Sequence, residues 1–303
     1  MFPQRLRSRL VLMFFHLLGR LPLRMAQKIG SFLGRLGWWL KSDYRRITEI
    51  NLQLCLPDQT PEQRTWLGQQ SMRETGKTLM EIPLMWEQPV EECLGLIRHF
   101  EGLEYVERAR ASGRGLILLA PHIGNWELAG LYFSTRFDMA ALYRPPKVPE
   151  MEDYMRQVRG RAGSELVPTD RRGVMRLFSI LRQNGVVGIL PDQNPGASGG
   201  AFAPFFGIPA RTMQLVPRLI QKTGAQVLMT YARRLKNGQG FELVVRPPDP
   251  RLFSEDAEVA LEGLNASVEI CVREVPAQYQ WEYKRFRHQP KGHPLPYRNN
   301  QIA

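Results

Sequence analysis

The chain has 303 residues, of which 43% are hydrophobic and 10% aromatic, a makeup that excludes a disordered, fibrous or collagen-like chain. That length does not demand two domains, because α/β folds often run this far around one core. A net charge of +12 asks for an anionic partner and leaves a nucleic acid or a membrane surface as the two broad classes.

The position of the charge separates those classes. The first fifty residues hold ten Lys or Arg against Asp43 and Glu49, so two thirds of the excess sits in one sixth of the chain. The same segment is also rich in bulky apolar residues, with the run Leu10 to Phe15 and a second from Phe32-Leu33 to Trp38-Trp39-Leu40. Arg and Lys among large apolar side chains suit an anionic bilayer, where the stems bury and the charged heads stay wet. No nucleic-acid-binding motif is present, so lipid is the better reading and nucleic acid is set aside. The uncharged stretch from Leu10 to Gly19 would reach about 15 Å as a helix, roughly half of a ~30 Å hydrocarbon core, which argues against a clean span. Arg5, Arg7 and Arg9 ahead of that run imitate a signal peptide, but Arg20 and Pro22 follow it and no small-x-small cleavage site does. Residues 1–42 are therefore expected to form a basic amphipathic helical anchor, with residues 43–303 as one domain. Packing of that helix on its own domain is the competing reading.

Two helices are expected next, Asp43 to Leu56 and Thr60 to Met85, separated by Pro57-Asp58 and Pro61. A short apolar run then recurs, each time followed by a polar turn. Its instances are Gly115 to Ala120, Met139 to Tyr143, Gly185 to Leu190, and Val227 to Tyr231, the last entering a hairpin-like Lys236-Asn-Gly-Gln239 and Phe241 to Val245. A helical stretch near Glu150 to Gly160 follows the second. Apolar runs alternating with helices predict an α/β fold with a mostly parallel central sheet flanked by helices. Asp256 to Val275 completes the pattern as an amphipathic helix. In such sheets chemistry gathers at the carboxyl ends of strands, where His122, Arg144 and Asp192 fall.

Cys55, Cys93 and Cys271 are odd in number and set among apolar or helix-forming neighbours, which predicts buried reduced thiols in a reducing compartment. No CxxC or Cys/His cluster offers a metal site, and no metal or cofactor is expected.

His122 and Glu127 form an HX4E pattern, and the pattern alone is cheap. At roughly one acid in ten positions, five histidines give about half a match by chance. His99 and Glu104 repeat it inside a charged stretch with no clear strand leading in. His122 instead closes an apolar run and precedes Gly124-Asn125, with Asn placed to cap a helix. Residues five apart on a helix point about 140° apart, so the pair meets only across a strand-to-helix turn. There Glu127 lies in the first helical turn, where the helix dipole favours its ionised form. A carboxylate beside the imidazole would fix the ring's tautomer and let His122 act as general base on a substrate hydroxyl. A hydrogen-bonded surface histidine is the bland alternative.

Five blocks in order carry a resemblance: Pro121 to Glu127, Tyr143-Arg-Pro145, Pro191-Asp-Gln193, Phe205 to Thr212, and Gln280-Trp281 through Arg285-Phe286. In that order they resemble the late acyltransferases of lipid A biosynthesis, the lauroyl/myristoyl type, within the wider lysophospholipid and glycerolipid acyltransferase group. The resemblance runs from about Asn51 to Tyr297 and implies that the domain of residues 43–303 is glycerol-3-phosphate acyltransferase-like. It also implies acyl transfer from acyl carrier protein to a hydroxyl of a lipid A precursor, with His122 and Glu127 as catalytic pair and acyl carrier protein thioester as co-substrate. The implied location is the cytoplasmic face of a bacterial inner membrane.

An anionic phosphosugar needs fixed cations, and Arg144 with Arg171 and Arg172 could supply them, against the alternative of a solvated charged edge. Asp192 is expected to orient a positive or donor group rather than act as a second base. Arg211 and Thr212 join the candidate substrate contacts, with Thr212 also readable as the cap of the following helix. The chain departs from the family at Tyr283, where a histidine is frequent, and at Met213-Gln214, where small residues are. Two other readings stand beside the first: acylation of another lipid, such as a lysophospholipid, and a non-catalytic module that docks on anionic membranes.

Overall fold

A computed structural model describes residues 4–146, 149–196 and 199–298 of the chain. The side chains of residues 4–11, Arg5, Arg7 and Arg9 among them, lie outside the described residues.

Two helices open the chain, α1 (Gln4–Gly19) and α2 (Leu23–Trp39), broken at Arg20 to Pro22 where the proline has no N–H to continue α1. Ser42 caps α3 (Asp43–Cys55), its hydroxyl accepting from the Arg45 N–H at 3.3 Å. The long α4 (Pro61–Glu87) begins with a reciprocal capping box, Gln63 N–H to Thr60 Oγ1 at 3.3 Å and Thr60 N–H to Gln63 Oε1 at 2.8 Å, with Pro61 at the first helical position. The short α5 (Val90–Leu94) leads into the sheet.

Seven strands build that sheet in the order β1 (Ile97–Glu101), β9 (Phe241–Arg246), β8 (Gln226–Arg234), β2 (Leu116–Leu119), β5 (Val186–Ile189), β3 (Met139–Tyr143) and β4 (Glu165–Pro168). All neighbours run parallel except β8 and β9, which form the hairpin expected around Asn237-Gly238. Helices α6 (Leu103–Ala111), α7 (Trp126–Ser134), α8 (Pro149–Gly160), α9 (Arg171–Arg182), α10 (Leu215–Thr223) and α11 (Ala257–Glu274) connect or cover these strands. A separate two-stranded ribbon, β6 (Gly200–Phe205) and β7 (Ile208–Met213), turns through Phe206 and Gly207, both with positive φ, the two-residue geometry that suits strand twist.

Every residue of β2 is buried because the sheet is covered on both faces. Leu116, Leu118, Val186 and Leu228 pack on one side with α4, α6 and α7; Ile117, Leu119, Val187, Val227 and Met229 pack on the other with α9, α10 and α11. Each such side chain contributes about 1.5–3 kcal/mol by leaving water. This is the mostly parallel α/β architecture read from the apolar runs. Three elements had no such run. In β1 only Ile97 is buried, so its charged pattern hides a strand at the sheet edge. The His99 repeat of the histidine pattern therefore lies within β1, not after a missing strand, and is exposed. Short β4 and the β6–β7 ribbon likewise carry too few alternating apolar residues to stand out.

The N-terminal helices lie against the domain. Helix α2 crosses α4 at backbone distance, since a Cβ at Gly34 would fall 2.0 Å from the Met72 carbonyl oxygen and one at Gly30 would fall 2.4 Å from that of Gly76. The opposite face of α2 exposes Met25, Ile29, Phe32, Leu33, Leu36 and Trp39, the last 74% accessible, and α1 exposes Met13, Phe14 and Leu17. Arg24, Lys28, Arg35 and Lys41 stand exposed among them. Among the described residues no helix is long and apolar enough to cross a membrane.

Substituting Gly34→Val should cost about 3 kcal/mol or more by forcing α2 off α4. The control Gly130→Ala, on α7 where an added Cβ meets nothing within 4 Å, should gain about 0.5–1 kcal/mol. Thermal melts of the two variants check both signs.

Candidate active site

The chain leaves β2 at Leu119 and enters α7 at Trp126, and the intervening turn is held at nearly every polar atom. The Asn125 side chain caps α7, accepting from the Leu128 N–H at 3.0 Å, and Glu127 follows in the first helical turn. The Asn125 N–H donates to the Ala232 carbonyl on β8 at 2.8 Å, and the Gly124 N–H to the Gln278 carbonyl at 3.1 Å. Gly124 has φ +60°, and a Cβ there would fall 2.1 Å from the Ala232 oxygen, so only glycine fits. The His122 carbonyl accepts from the Gln280 N–H at 3.3 Å.

Asp192, just past the end of β5, takes two more groups of His122. Its Oδ2 accepts from the His122 backbone N–H at 2.9 Å, and its Oδ1 lies 2.8 Å from the ring Nδ1. Burial works to raise the Asp192 pKa, but the His122 charge and its two hydrogen bonds hold the carboxyl below its ordinary range. An ionised carboxylate only accepts, so Nδ1 carries a ring proton, and in the neutral form of the ring Nε2 keeps the lone pair. That nitrogen is 3.1 Å from the Gln193 side-chain amide nitrogen, and the Trp126 ring packs edge-on with centroids 4.8 Å apart.

Glu127 is oriented differently. Its carboxylate is clasped by Arg159 of α8, whose Nε donates to Oε2 at 3.0 Å while Nη2 reaches Oε1. Burial pushes the Glu127 pKa up, yet the Arg159 guanidinium, with the charge of His122 a further contribution, brings it below the ordinary value. The two carboxylates thus flank one histidine with a division of labour: Asp192 is hydrogen-bonded to the imidazole, and Glu127 is paired to a cation while remaining within electrostatic range of the ring.

The strand order explains why residues far apart in sequence meet. Strands β2, β5, β3 and β4 are successive parallel neighbours, and their carboxyl ends carry His122, Asp192, Arg144 and then Arg171 and Arg172 at the start of α9. Three strand spacings of about 4.8 Å cover the row. Arg144, Arg171 and Arg172 are exposed. Arg211 and Thr212 belong to β7. The buried Thr212 hydroxyl donates to the Ala210 carbonyl at 3.0 Å and faces Asn265 Nδ2 at 2.8 Å and Arg285 Nη2 at 3.2 Å, so it does not cap α10, whose N-cap is Gln214. Arg285 also donates to the Arg211 carbonyl at 2.5 Å, tying the ribbon to the tail. Tyr283 accepts from the Asn194 N–H at 2.8 Å and so steadies the loop just beyond Asp192.

Arg159 and Gln193 were not singled out from the sequence. Gln193 stood beside Asp192 in a recognised block, whereas Arg159 is one of many arginines and reaches Glu127 only through the placement of α8. The three cysteines are buried and free, with the Cys271 thiol pushed up to about 12 by burial first and the charge of Glu274 second. Among the described residues no group of three or more His, Cys, Asp or Glu side chains is placed to hold a metal ion.

Comparison with known proteins follows the same outline. The chain is similar to the lipid A biosynthesis lauroyltransferase of Escherichia coli (strain K12), 28% identical over 279 residues that cover 92% of this chain and 90% of that protein. It is similar to the palmitoleoyltransferase of the same pathway and organism, 27% identical with 90% and 88% covered, and to the myristoyltransferase, 27% identical with 91% and 84% covered. The model of the bacterial lipid A biosynthesis acyltransferases matches residues 2–288, and the chain belongs to that family.

Proposed function

We propose that this acyltransferase moves a fatty acyl chain from the thioester of acyl carrier protein onto a hydroxyl of a lipid A precursor, with His122 as general base. The observation that carries the reading is the Asp192 contact to Nδ1, which leaves Nε2 as the basic atom at the carboxyl end of the sheet. The acceptor hydroxyl takes the place of the Gln193 amide at Nε2 and gives up its proton as its oxygen attacks the thioester carbonyl. The tetrahedral adduct then expels the thiolate, which recovers a proton from the His122 imidazolium. Asp192 stabilises that imidazolium while it exists. Glu127 adds a second negative charge to the surroundings of the ring and fixes Arg159, and so belongs with His122 in the catalytic group.

The cations Arg144, Arg171 and Arg172 suit the phosphates of the acceptor. Arg211 and Thr212 act on substrate through the ribbon that they brace. The apolar, cation-studded outer face of α1 and α2 suits the anionic cytoplasmic surface of the inner membrane, where the acceptor resides.

Mass spectrometry of lipid A from cells with and without the chain tests the reaction directly: loss of one acyl chain from the lipid is expected. If purified protein acylates lysophospholipid and leaves lipid A precursor untouched, the acceptor is wrong. His122→Ala should lower turnover by about 10²-fold or more, and Asp192→Asn by about 10²- to 10⁴-fold, with binding to anionic vesicles retained. Wild-type turnover in His122→Ala would deny the histidine its role as base, and vesicle binding with no turnover in the wild-type protein would leave only a docking module.

Acid dependence follows from the same two carboxylates. Both have folded pKa values below their unfolded ones, so their contribution to stability is complete only above about pH 5, clear of both unfolded values, and disappears as pH falls through the folded values. Denaturation followed from about pH 5 to pH 2 should show a shallower loss in Asp192→Asn than in wild type. Equal slopes would deny Asp192 its depressed pKa.

A further inference from the structure

Beneath the His122 turn lies a buried ion pair that the proposed chemistry does not use. Glu81 of α4 is fully inaccessible and Arg234 at the end of β8 nearly so. Arg234 Nε donates to both Glu81 oxygens, at 2.7 and 2.8 Å. Its Nη2 donates to the Gly124 carbonyl at 2.9 Å and meets Thr78 Oγ1. Glu81 Oε2 accepts from Asn125 Nδ2 at 3.1 Å, which sets the amide so that its oxygen caps α7. Glu81 Oε1 also accepts from Gln27 Nε2 at 2.7 Å, and Gln27 lies on the inner face of α2, between the Gly30 crossing and the start of the helix. The backbone of Arg234 is tied to the Gln278 side chain at 2.8 and 3.1 Å, whose own carbonyl takes the Gly124 N–H.

Stability alone is a poor reason for such a pair. Replacing a buried ion pair by apolar residues is often neutral or stabilising, whereas breaking one leaves a charge uncompensated. What this pair supplies is geometry. Three donors from α2, from the turn and from β8 converge on one carboxylate, and the paired guanidinium returns a bond to the turn. A carboxylate offers four lone-pair directions to donors only. The amide of a glutamine would turn an NH₂ group toward at least one of those donors, so even an isosteric change must move Asn125, Arg234 or Gln27.

We propose that the Glu81–Arg234 pair, with Gln27 of α2 attached, is the positioning device of the His122 turn, so that seating of the membrane-facing helix on α4 and alignment of the imidazole are one structural event. The inference rests on His122 being the base. Glu81, Arg234 and Gln27 touch no reacting atom and act through Gly124 and Asn125 on the direction of the ring.

The test measures kcat, KM and melting temperature for Gln27→Met, Arg234→Lys and Glu81→Gln, each alone and combined with His122→Ala, using acyl carrier protein thioester and lipid A precursor. Gln27→Met leaves the ion pair whole and should fold as wild type, with kcat down by about 3- to 10-fold and KM within about twofold. Arg234→Lys and Glu81→Gln should lower kcat by about 10- to 100-fold in whatever fraction folds. In the His122→Ala background none of the three should lower residual turnover further, because residues that act through one group are non-additive. Wild-type kcat in folded Gln27→Met and Arg234→Lys overturns the proposal, as do losses that multiply with that of His122→Ala. Wild-type turnover in His122→Ala itself would instead remove the reading on which the proposal rests.

Discussion

The arrangement depends on one carboxylate, that of Asp192, accepting from both the backbone and the ring of His122. A hydrogen bond to the ring alone would fix a tautomer but let the residue swing with its backbone. The second bond fixes the backbone N–H as well, so the imidazole is held to the carboxyl end of β5 as firmly as to its own strand. Because β2 and β5 are parallel neighbours, with Leu119 beside Ile189, the two ends emerge side by side and the contact costs no irregular path. The tight Gly124 turn onto β8 and the buried pair below it then close the remaining degrees of freedom. Each of these contacts lies in a buried setting, where electrostatic attraction is weakly screened and an unpaired partner would be expensive.

The same frame ties the site to an apolar, cation-studded outer surface. Helix α2 turns its glycines and Gln27 toward α4 and its aromatic and aliphatic side chains outward among exposed cations. The close Gly30, Gly34 and Gly76 crossing lets a helix with so apolar an outer face be part of the domain rather than a loose tail. A surface of that composition suits the boundary between headgroups and acyl chains, and it is continuous through α4 with the residues under the His122 turn.

Much of this was legible before any coordinates. The apolar runs around Leu116, Met139, Val186 and Val227 mark buried parallel strands, because a strand covered on both faces has no polar alternation to hide it. The cap at Asn125 and the place of Glu127 in the first turn follow from local chemistry. The partner of the imidazole did not. Glu127 is near in sequence, and nearness suggested that it would orient the ring, whereas Asp192 reaches Nδ1 across seventy residues by strand order alone. Arg159 was hidden for the same reason, since nothing in the local sequence distinguishes it from Arg156 or Arg161. Edge strand β1 escaped because an edge exposed to water needs no apolar pattern, and its His99 imitated the motif without its setting.

The central claim is that the His122 proton sits on Nδ1 and that Nε2 is the base. Nitrogen-15 NMR of histidine-labelled protein at about pH 8, with the His122→Ala spectrum assigning the ring, measures this without reference to any substrate. The account predicts a protonated Nδ1 and a bare Nε2. A ring protonated at Nε2, with Nδ1 bare toward Asp192, would contradict it.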